Sequence, residues 1–149
     1  MREIALDTQA ATVVAIIDEG RVVGRARNDS GRRHAESITP LVRAALENAG
    51  LPPTLANAGI DRVLVGTGPA PFTGLRAGLV SARVLARVAD VPAYGVCSLD
   101  VIARQGLDVL APETRVYAIA DARRRELYWG SYVAAGTNDV TLEGRLEVG

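Results

Sequence analysis

Three consecutive strand patterns within the first 27 residues constrain the fold of this chain more than any other feature. Glu3–Asp7, Thr12–Asp18 and Arg21–Arg27 are rich in Val and Ile and are separated by turn residues. Between the second and third segments, Asp18-Glu19-Gly20 allows a tight hairpin, because glycine adopts positive φ without steric strain. The chain is therefore expected to open with an antiparallel meander.

Helix and strand patterns alternate after this meander. The predicted elements are a helix over Glu36–Ala49, a strand over Arg62–Gly66, a helix over Gly74–Ala89, a strand over Pro92–Cys97, and a third helix capped by Ser98 and stopped at Gly106. The order βββαβαβα predicts an α/β layer built on a mixed sheet.

A second unit begins in the last part of the chain. Arg115–Ala120 and Glu126–Ala134 predict two strands joined at Asp121–Arg125, and no helix pattern follows them as a cover. We therefore expect one domain over residues 1–112 and the opening strands of another over 113–149, with the chain cut short before that second unit is complete.

Composition excludes several classes of function. The 17 basic and 17 acidic residues cancel, so the domain as a whole has no electrostatic footprint for nucleic acid. All basic residues are arginine, which excludes lysine-dependent chemistry within this chain. One cysteine, Cys97, and one histidine, His34, provide neither an internal disulfide nor a His-rich metal site. Without a signal peptide or a long apolar segment, we expect a cytoplasmic protein.

The glycine- and proline-rich segment 66–76 is the first candidate for a binding site. A helix N-terminus beside Arg76 can hold a phosphate or carboxylate, with Thr73 as N-cap and Asp7 and Thr8 at the nearby hairpin. The predicted anion site consists of Asp7, Thr8, Gly68, Thr73, Gly74 and Arg76. From residue types alone, plain helix capping and tight packing explain these residues better than a phosphate does.

Apolar residues cover more than one face of the second predicted helix. Gly74, Gly78 and Ala82 place small residues along one side, and Leu85 and Val88 are free to face the sheet. The helix is therefore expected to be buried on both sides, either within its own fold or against a partner. Arg123–Arg125 is expected to be a solvated turn, with nucleic-acid contact as the minor alternative.

Several motifs, taken in order, resemble the TsaB (YeaZ) family of tRNA-modification proteins. They are Ala5-Leu6-Asp7-Thr8, Arg33-His34-Ala35-Glu36 with Pro40, the segment Gly68–Leu79, Gly95-Val96-Cys97-Ser98-Leu99, and Asp121-Ala122-Arg123 with Glu126-Leu127-Tyr128. The resemblance spans about residues 2–130. Ala70-Pro71 departs from the Gly-Ser of the family and removes a flexible glycine and a hydroxyl from the loop.

The resemblance implies a fold and a role. The fold is the ribonuclease H-like lobe of the actin, sugar-kinase and heat-shock-ATPase superfamily. The role is that of a non-catalytic scaffold subunit in threonylcarbamoyladenosine synthesis on tRNA, with a catalytic TsaD-like partner and a TsaE-like ATPase. Contact with tRNA would be indirect; no cofactor is assigned to the chain itself, although the complex interface could bind ATP or ADP. Catalytic relatives carry a His pair where this chain has His34 and Ile38, so no metal is expected.

The resemblance also implies an interface in which the first two helices pack against a partner as a four-helix bundle. The residues assigned to it are Ile38, Leu41, Val42, Ala45, Leu75, Gly78, Leu79 and Ala82. The same surface could form a homodimer in isolation, because apolar helix faces rarely stay exposed.

Two other functions compete with the scaffold. One is a kinase or ATPase that uses Asp7, Thr8 and the loop Gly68–Gly74. The other is an RNA-binding module that uses Arg32-Arg33 and Arg123–Arg125, which the balanced charge disfavours.

Overall fold

A computed structural model describes residues 1–30 and 34–149 of the chain. Within those ranges the elements are β1 (Arg2–Asp7), β2 (Thr12–Asp18), β3 (Arg21–Asn28), α1 (His34–Asn48), β4 (Arg62–Gly66), α2 (Phe72–Ala89), β5 (Ala93–Val96), α3 (Ser98–Leu107), β6 (Val116–Arg123), β7 (Glu126–Ala135) and β8 (Asp139–Val148). The predictions that involve Arg32, Arg33 and the His34 side chain lie outside the described residues.

The first sheet is mixed, as the sequence predicts. Its strand order is β3-β2-β1-β4-β5, with β1–β2 and β2–β3 antiparallel and β1–β4 and β4–β5 parallel. Ile4 lies between Ile16 on one neighbouring strand and Val63 on the other, and all three side chains are completely buried. Period-two alternation places this row of branched side chains on one face of the sheet, where it forms the centre of the core.

Helices α1 and α2 cover that face of the sheet and contact each other. Val42, Ala45 and Leu46 of α1 belong to the same buried cluster as Ala82 and Ala86 of α2. The small residues of α2 therefore bring the helix close to the sheet. Of the two alternatives left open by the sequence, this is burial within the chain's own fold.

Two residues of this layer explain local details of α1. A Cβ atom on Gly24 of β3 would overlap the Ala45 carbonyl and lie 2.7 Å from Ala49 Cβ, so glycine permits the close approach. The sequence places Pro40 in the first turn of the helix, but α1 begins at His34 and Pro40 lies in its second turn. There the proline ring provides no N–H for the Glu36 carbonyl, and both Glu36 and Pro40 are exposed residues.

The second sheet is an antiparallel meander of β6, β7 and β8. The sequence predicts only two strands here and no cover, and both expectations are corrected. A third strand, β8, completes the meander, and α3 packs on the sheet. Leu99 and Ala103 of α3 share a buried cluster with Ala118 and Tyr132. This buried cluster contains no described residue of α1 or α2. Helix α3 therefore packs with the second sheet, although it precedes residue 113.

None of the helices in the described part of the chain combines the length and the hydropathy needed to cross a bilayer.

Candidate functional site

The candidate site lies where the carboxyl ends of β1 and β4 meet the start of α3. Asp7 ends β1, and its carboxylate accepts two hydrogen bonds. Ser98 Oγ donates to Oδ2 at 2.8 Å, and the Gln9 backbone N–H donates to Oδ1 at 2.7 Å. Gly66 ends β4, and a Cβ atom there would overlap the Asp7 carboxylate and lie 2.9 Å from Ser98 Oγ. Glycine at position 66 therefore leaves the space that the carboxylate occupies.

Thr8 lies directly beneath α2. Its side chain is 2% exposed, and Oγ1 donates to the Gly74 carbonyl at 2.7 Å. One turn further along the helix, a Cβ atom on Gly78 would overlap Thr8 Oγ1. The hydroxyl and the missing side chain together hold the start of α2 against the end of β1.

The loop between β4 and α2 turns its carbonyl groups toward the site. The Gln9 side-chain amide donates to the Pro69 carbonyl at 3.0 Å, and the Ser98 N–H donates to the Gly68 carbonyl at 2.9 Å. Gly68 has φ +84°, and the Gly68–Pro69 peptide bond is cis. A phosphate cradle requires N–H groups that point at the anion, whereas Pro69 and Pro71 have none.

The start of α2 corrects the predicted N-cap role of Thr73. Helix α2 begins at Phe72, and Pro71 is its N-cap without a side-chain capping bond, so Thr73 is an exposed residue of the first turn rather than the cap. Arg76 is also exposed, and its guanidinium lies over the Phe72 ring, 4.8 Å from the centroid. The hydrogen-bond network therefore contains Asp7, Thr8, Gly68 and Gly74 of the predicted set, but not Thr73 or Arg76.

Two members of the network are missing from the sequence prediction. Ser98 is interpreted there as the N-cap of the third helix, but Cys97 holds that position and the Ser98 hydroxyl binds Asp7 instead. Gln9 follows the strand in a turn and carries no motif of its own. A signal for Ser98 exists in its place immediately after a parallel strand, because the carboxyl ends of such strands meet at one edge.

The hydrogen bonds of this site join the end of β1 to the starts of α2 and α3. Both hydroxyls of the network donate to protein oxygens, and the Asp7 carboxylate is held by donors from two segments. Among the residues that the structure describes, no three His, Cys, Asp or Glu side chains are grouped as metal ligands would be.

Comparison with known proteins identifies the family. Residues 26–145 match the family model of TsaD, the tRNA N6-adenosine threonylcarbamoyltransferase. The chain belongs to this family. Its relatives include TsaB, the tRNA threonylcarbamoyladenosine biosynthesis protein of Escherichia coli, which is 38% identical over 89% of this chain and 55% of its own length. An uncharacterised protein of Mycobacterium tuberculosis is 45% identical over 87% of this chain and 58% of its own length.

Solved structures agree with a place in the TsaB (YeaZ) branch. YeaZ from Pseudomonas aeruginosa superposes with a TM-score of 0.82 at 33% identity, over 99% of this chain and 66% of that protein. A ROK hexokinase from Thermus thermophilus, at a TM-score of 0.51 and 16% identity, shows the shared fold alone. The chain spans somewhat more than half the length of the curated relatives that it matches.

In this TsaB-type chain, most of the residues predicted for the interface lie in the core of the chain itself. Ile38, Val42, Ala45 and Ala82 are at most 6% exposed and belong to the core, and Gly78 is buried against Thr8. Leu41 and Leu79 pack partly buried against the same core, and Leu75 is half-buried. The predicted helical spacing of these residues matches α1 and α2, but the side of α2 that carries Gly78 and Ala82 faces the sheet.

The exposed apolar side of α2 is a different set of residues. Phe72 is 70% exposed, Val80 is 60% exposed, and Val84 and Val88 are each 56% exposed. We call these four residues the α2 ladder. Val80, Val84 and Val88 are spaced by four along one side of the helix, and Phe72 lies at its first residue. Val88, which by its spacing could also face the sheet, is thus on the solvent side.

A second buried polar contact joins α3 to the second sheet. Tyr132 is completely buried, and its hydroxyl donates to Asp100 Oδ1 at 2.8 Å. Burial, followed by this hydrogen bond, raises the pKa of Tyr132. Burial also raises the pKa of the half-buried Cys97 thiol beside it, which disfavours the reactive thiolate.

Proposed function

We propose that this chain is a non-catalytic subunit of the machinery that makes threonylcarbamoyladenosine on tRNA, next to the anticodon, and that it binds and activates a TsaD-like catalytic subunit. The observation that carries the proposal is the α2 ladder of Phe72, Val80, Val84 and Val88, an exposed apolar stripe on a helix that packs beside α1. The reaction is inferred from relatives whose names state a role in tRNA threonylcarbamoyladenosine biosynthesis.

The ladder has the character of a docking surface for another helix. Apolar side chains on one side of a helix gain free energy when a partner removes them from water, at about 25 cal/mol per Å². Arg83 and Arg87 are exposed next to the valines and would form the polar rim that surrounds such a patch. Helix α1 contacts α2, and its exposed residues include the ion pair of Arg43 and Glu47, so α1 would extend the polar rim.

The Asp7 network supports a non-catalytic role. The hydroxyls of Thr8 and Ser98 both donate to groups of the same chain, which favours holding α2 and α3 in place over transferring a proton to a substrate. The family-derived expectations of a TsaE-like ATPase, of ATP or ADP at the complex interface and of tRNA held through the complex remain predictions of this proposal.

Replacement of Val84 with aspartate tests the proposal in the complete protein. A carboxylate at the centre of the ladder would have to be desolvated on docking, so we expect Val84→Asp to weaken co-elution with the TsaD-like subunit at least about tenfold. Threonylcarbamoylation of tRNA by the reconstituted system should fall in parallel, while far-UV circular dichroism of the variant stays unchanged.

Val109→Asp is the matched control, because Val109 is 83% exposed and follows α3 rather than lying on α2. It should bind the catalytic subunit and support modification like the unmodified protein. Equal modification in the presence and absence of the chain would disprove the proposed function. Undiminished binding by Val84→Asp would disprove the role of the ladder.

A further inference from the structure

The turn between β6 and β7 consists of arginines in a backbone conformation that arginine disfavours. Arg123, Arg124 and Arg125 have φ angles of +65°, +54° and +69°. Arg123 pairs with Glu126, so Arg124 and Arg125 form a two-residue hairpin turn with positive φ at both positions. Such turns favour Asn-Gly or Asp-Gly, because left-handed backbone brings Cβ too close to the carbonyl oxygen in other residues.

Local hydrogen bonding stabilises the turn without the arginine side chains. The Arg123 backbone N–H donates to Asp121 Oδ1 at 2.8 Å, which fixes the start of the turn. All three arginines are exposed, and in the described parts of the chain none of their guanidinium groups takes part in an ion pair. Their charge therefore contributes nothing visible to the fold, while their backbone conformation opposes it.

The turn holds arginines in a disfavoured backbone conformation, and among the described residues their side chains make no ion pair that stabilises the fold. Such a cost indicates that the arginines are present for a functional reason. Three guanidinium groups from consecutive residues of one turn form a compact cationic tip on a chain whose formal net charge is zero. Guanidinium binds phosphate through paired N–H donors, and the fixed fork of these donors matches the geometry of phosphate oxygens. A phosphate-bearing polymer fits this tip because several neighbouring phosphates can be bound together.

We propose that the Arg123–Arg125 turn binds phosphates of the tRNA backbone directly. The inference rests on the proposed function, which supplies tRNA as the nucleic acid, and it departs from the expectation that tRNA is held only through the partner. Binding at the tip is sequence-independent and sensitive to salt, and it positions the tRNA on the complex.

The test variant is Arg124→Asn combined with Arg125→Gly, in the complete protein. Asn-Gly suits the turn, so thermal unfolding should occur at the same or a higher temperature. The Kd for unmodified tRNA should rise about tenfold at low salt, and the slope of log Kd against log salt should fall by about one to two. Arg124→Lys combined with Arg125→Lys keeps both charges and should retain most of the affinity.

Arg21→Gln combined with Arg25→Gln is the charge-matched control, because both arginines are exposed on the edge strand β3. Equal losses of affinity in this control and in the Asn-Gly variant, or no loss in either, would overturn the proposal. A lost affinity for the TsaD-like subunit with an unchanged tRNA salt slope would also overturn it, in favour of an acidic protein surface. The Kd for tRNA is measured both on the protein alone and on its complex with the TsaD-like subunit. A failed modification assay would therefore count against the proposed function, whereas the Kd values would still decide whether the arginine turn binds tRNA.

Discussion

At the scale of single residues, Gly78 shows how closely α2 is fitted to the end of β1. A Cβ atom at this position would overlap Thr8 Oγ1 and lie 3.2 Å from Thr8 Cγ2. Gly→Ala in a helix normally stabilises it, because alanine has the higher helix propensity. We expect the opposite sign for Gly78→Ala, a loss of about 1–3 kcal/mol in the free energy of unfolding measured with urea, because Thr8 must move.

Gly106→Ala in α3 is the control for this substitution. The nearest atom to a Cβ there is Val116 Cγ1 at 3.8 Å, an ordinary contact, so the variant should be neutral or slightly stabilised. Stabilisation by Gly78→Ala equal to that by Gly106→Ala would show that the contact with Thr8 is loose. This fit also means that a bulky residue at Gly78 would disturb the monomer itself and cannot serve as a clean probe of partner binding.

At the scale of elements, α2 begins without a side-chain cap. Pro71 is the N-cap residue, with φ −55° and ψ 133°, and a proline offers no oxygen on its side chain to the first N–H groups. Serine tolerates the same backbone angles and can accept a hydrogen bond from the N–H of Thr73 or Gly74. We expect Pro71→Ser to be more stable than Pro71→Ala by about 1 kcal/mol, measured by thermal unfolding.

The comparison between the serine and alanine variants isolates the cap, since both lose the rigidity of proline. Identical unfolding temperatures would mean that the N–H groups at the start of α2 are already satisfied by other partners or by water.

Local patterns determine the elements but not which of their faces pack together. Thr12–Asp18 and Arg62–Gly66 match β2 and β4 residue for residue, because branched apolar residues between turn signals specify a buried strand locally. Strand β8 is missed although polar residues alternate with Val140, Leu142, Leu146 and Val148, because Gly144 interrupts this alternation at its centre. The solvent side of α2 is also beyond local pattern, since apolar residues surround that helix and only the sheet decides which of them are covered.

The candidate site depends on contacts between residues far apart in sequence. Asp7 and Thr8 are predictable, because the carboxyl end of a central strand is where α/β proteins place functional groups. The Ser98–Asp7 bond joins residues 91 positions apart, and no spacing in the sequence encodes it. A serine at the start of a helix is equally compatible with an N-cap, and this is the role that the local sequence predicts for Ser98.

At the scale of the whole molecule, the first turn of α3 connects the two sheets. Ser98 binds Asp7 at the end of the first sheet, and two residues later Asp100 accepts from Tyr132 in the second. Displacement of α3 from one sheet should therefore be felt by the other. The two sheets have separate buried clusters, so this short polar segment is a principal route for such coupling.

Ser98→Ala tests whether the coupling operates. The variant leaves Asp7 one hydrogen bond short, which should lower the free energy of unfolding by about 1–3 kcal/mol. Trp129, the sole tryptophan, lies in β7 and reports the second sheet by fluorescence, whereas far-UV circular dichroism reports both sheets. Because Ser98 contacts only the first sheet through its hydroxyl, coupling predicts that both signals shift together to lower denaturant. Tyr132→Phe removes the bond between α3 and β7, whereas Arg104 of α3 still donates to the Asp139 carbonyl of β8 at 3.0 Å. In that variant the fluorescence transition should precede the dichroism transition. A Ser98→Ala protein whose dichroism shifts while its Trp129 transition stays in place would show that the sheets unfold independently.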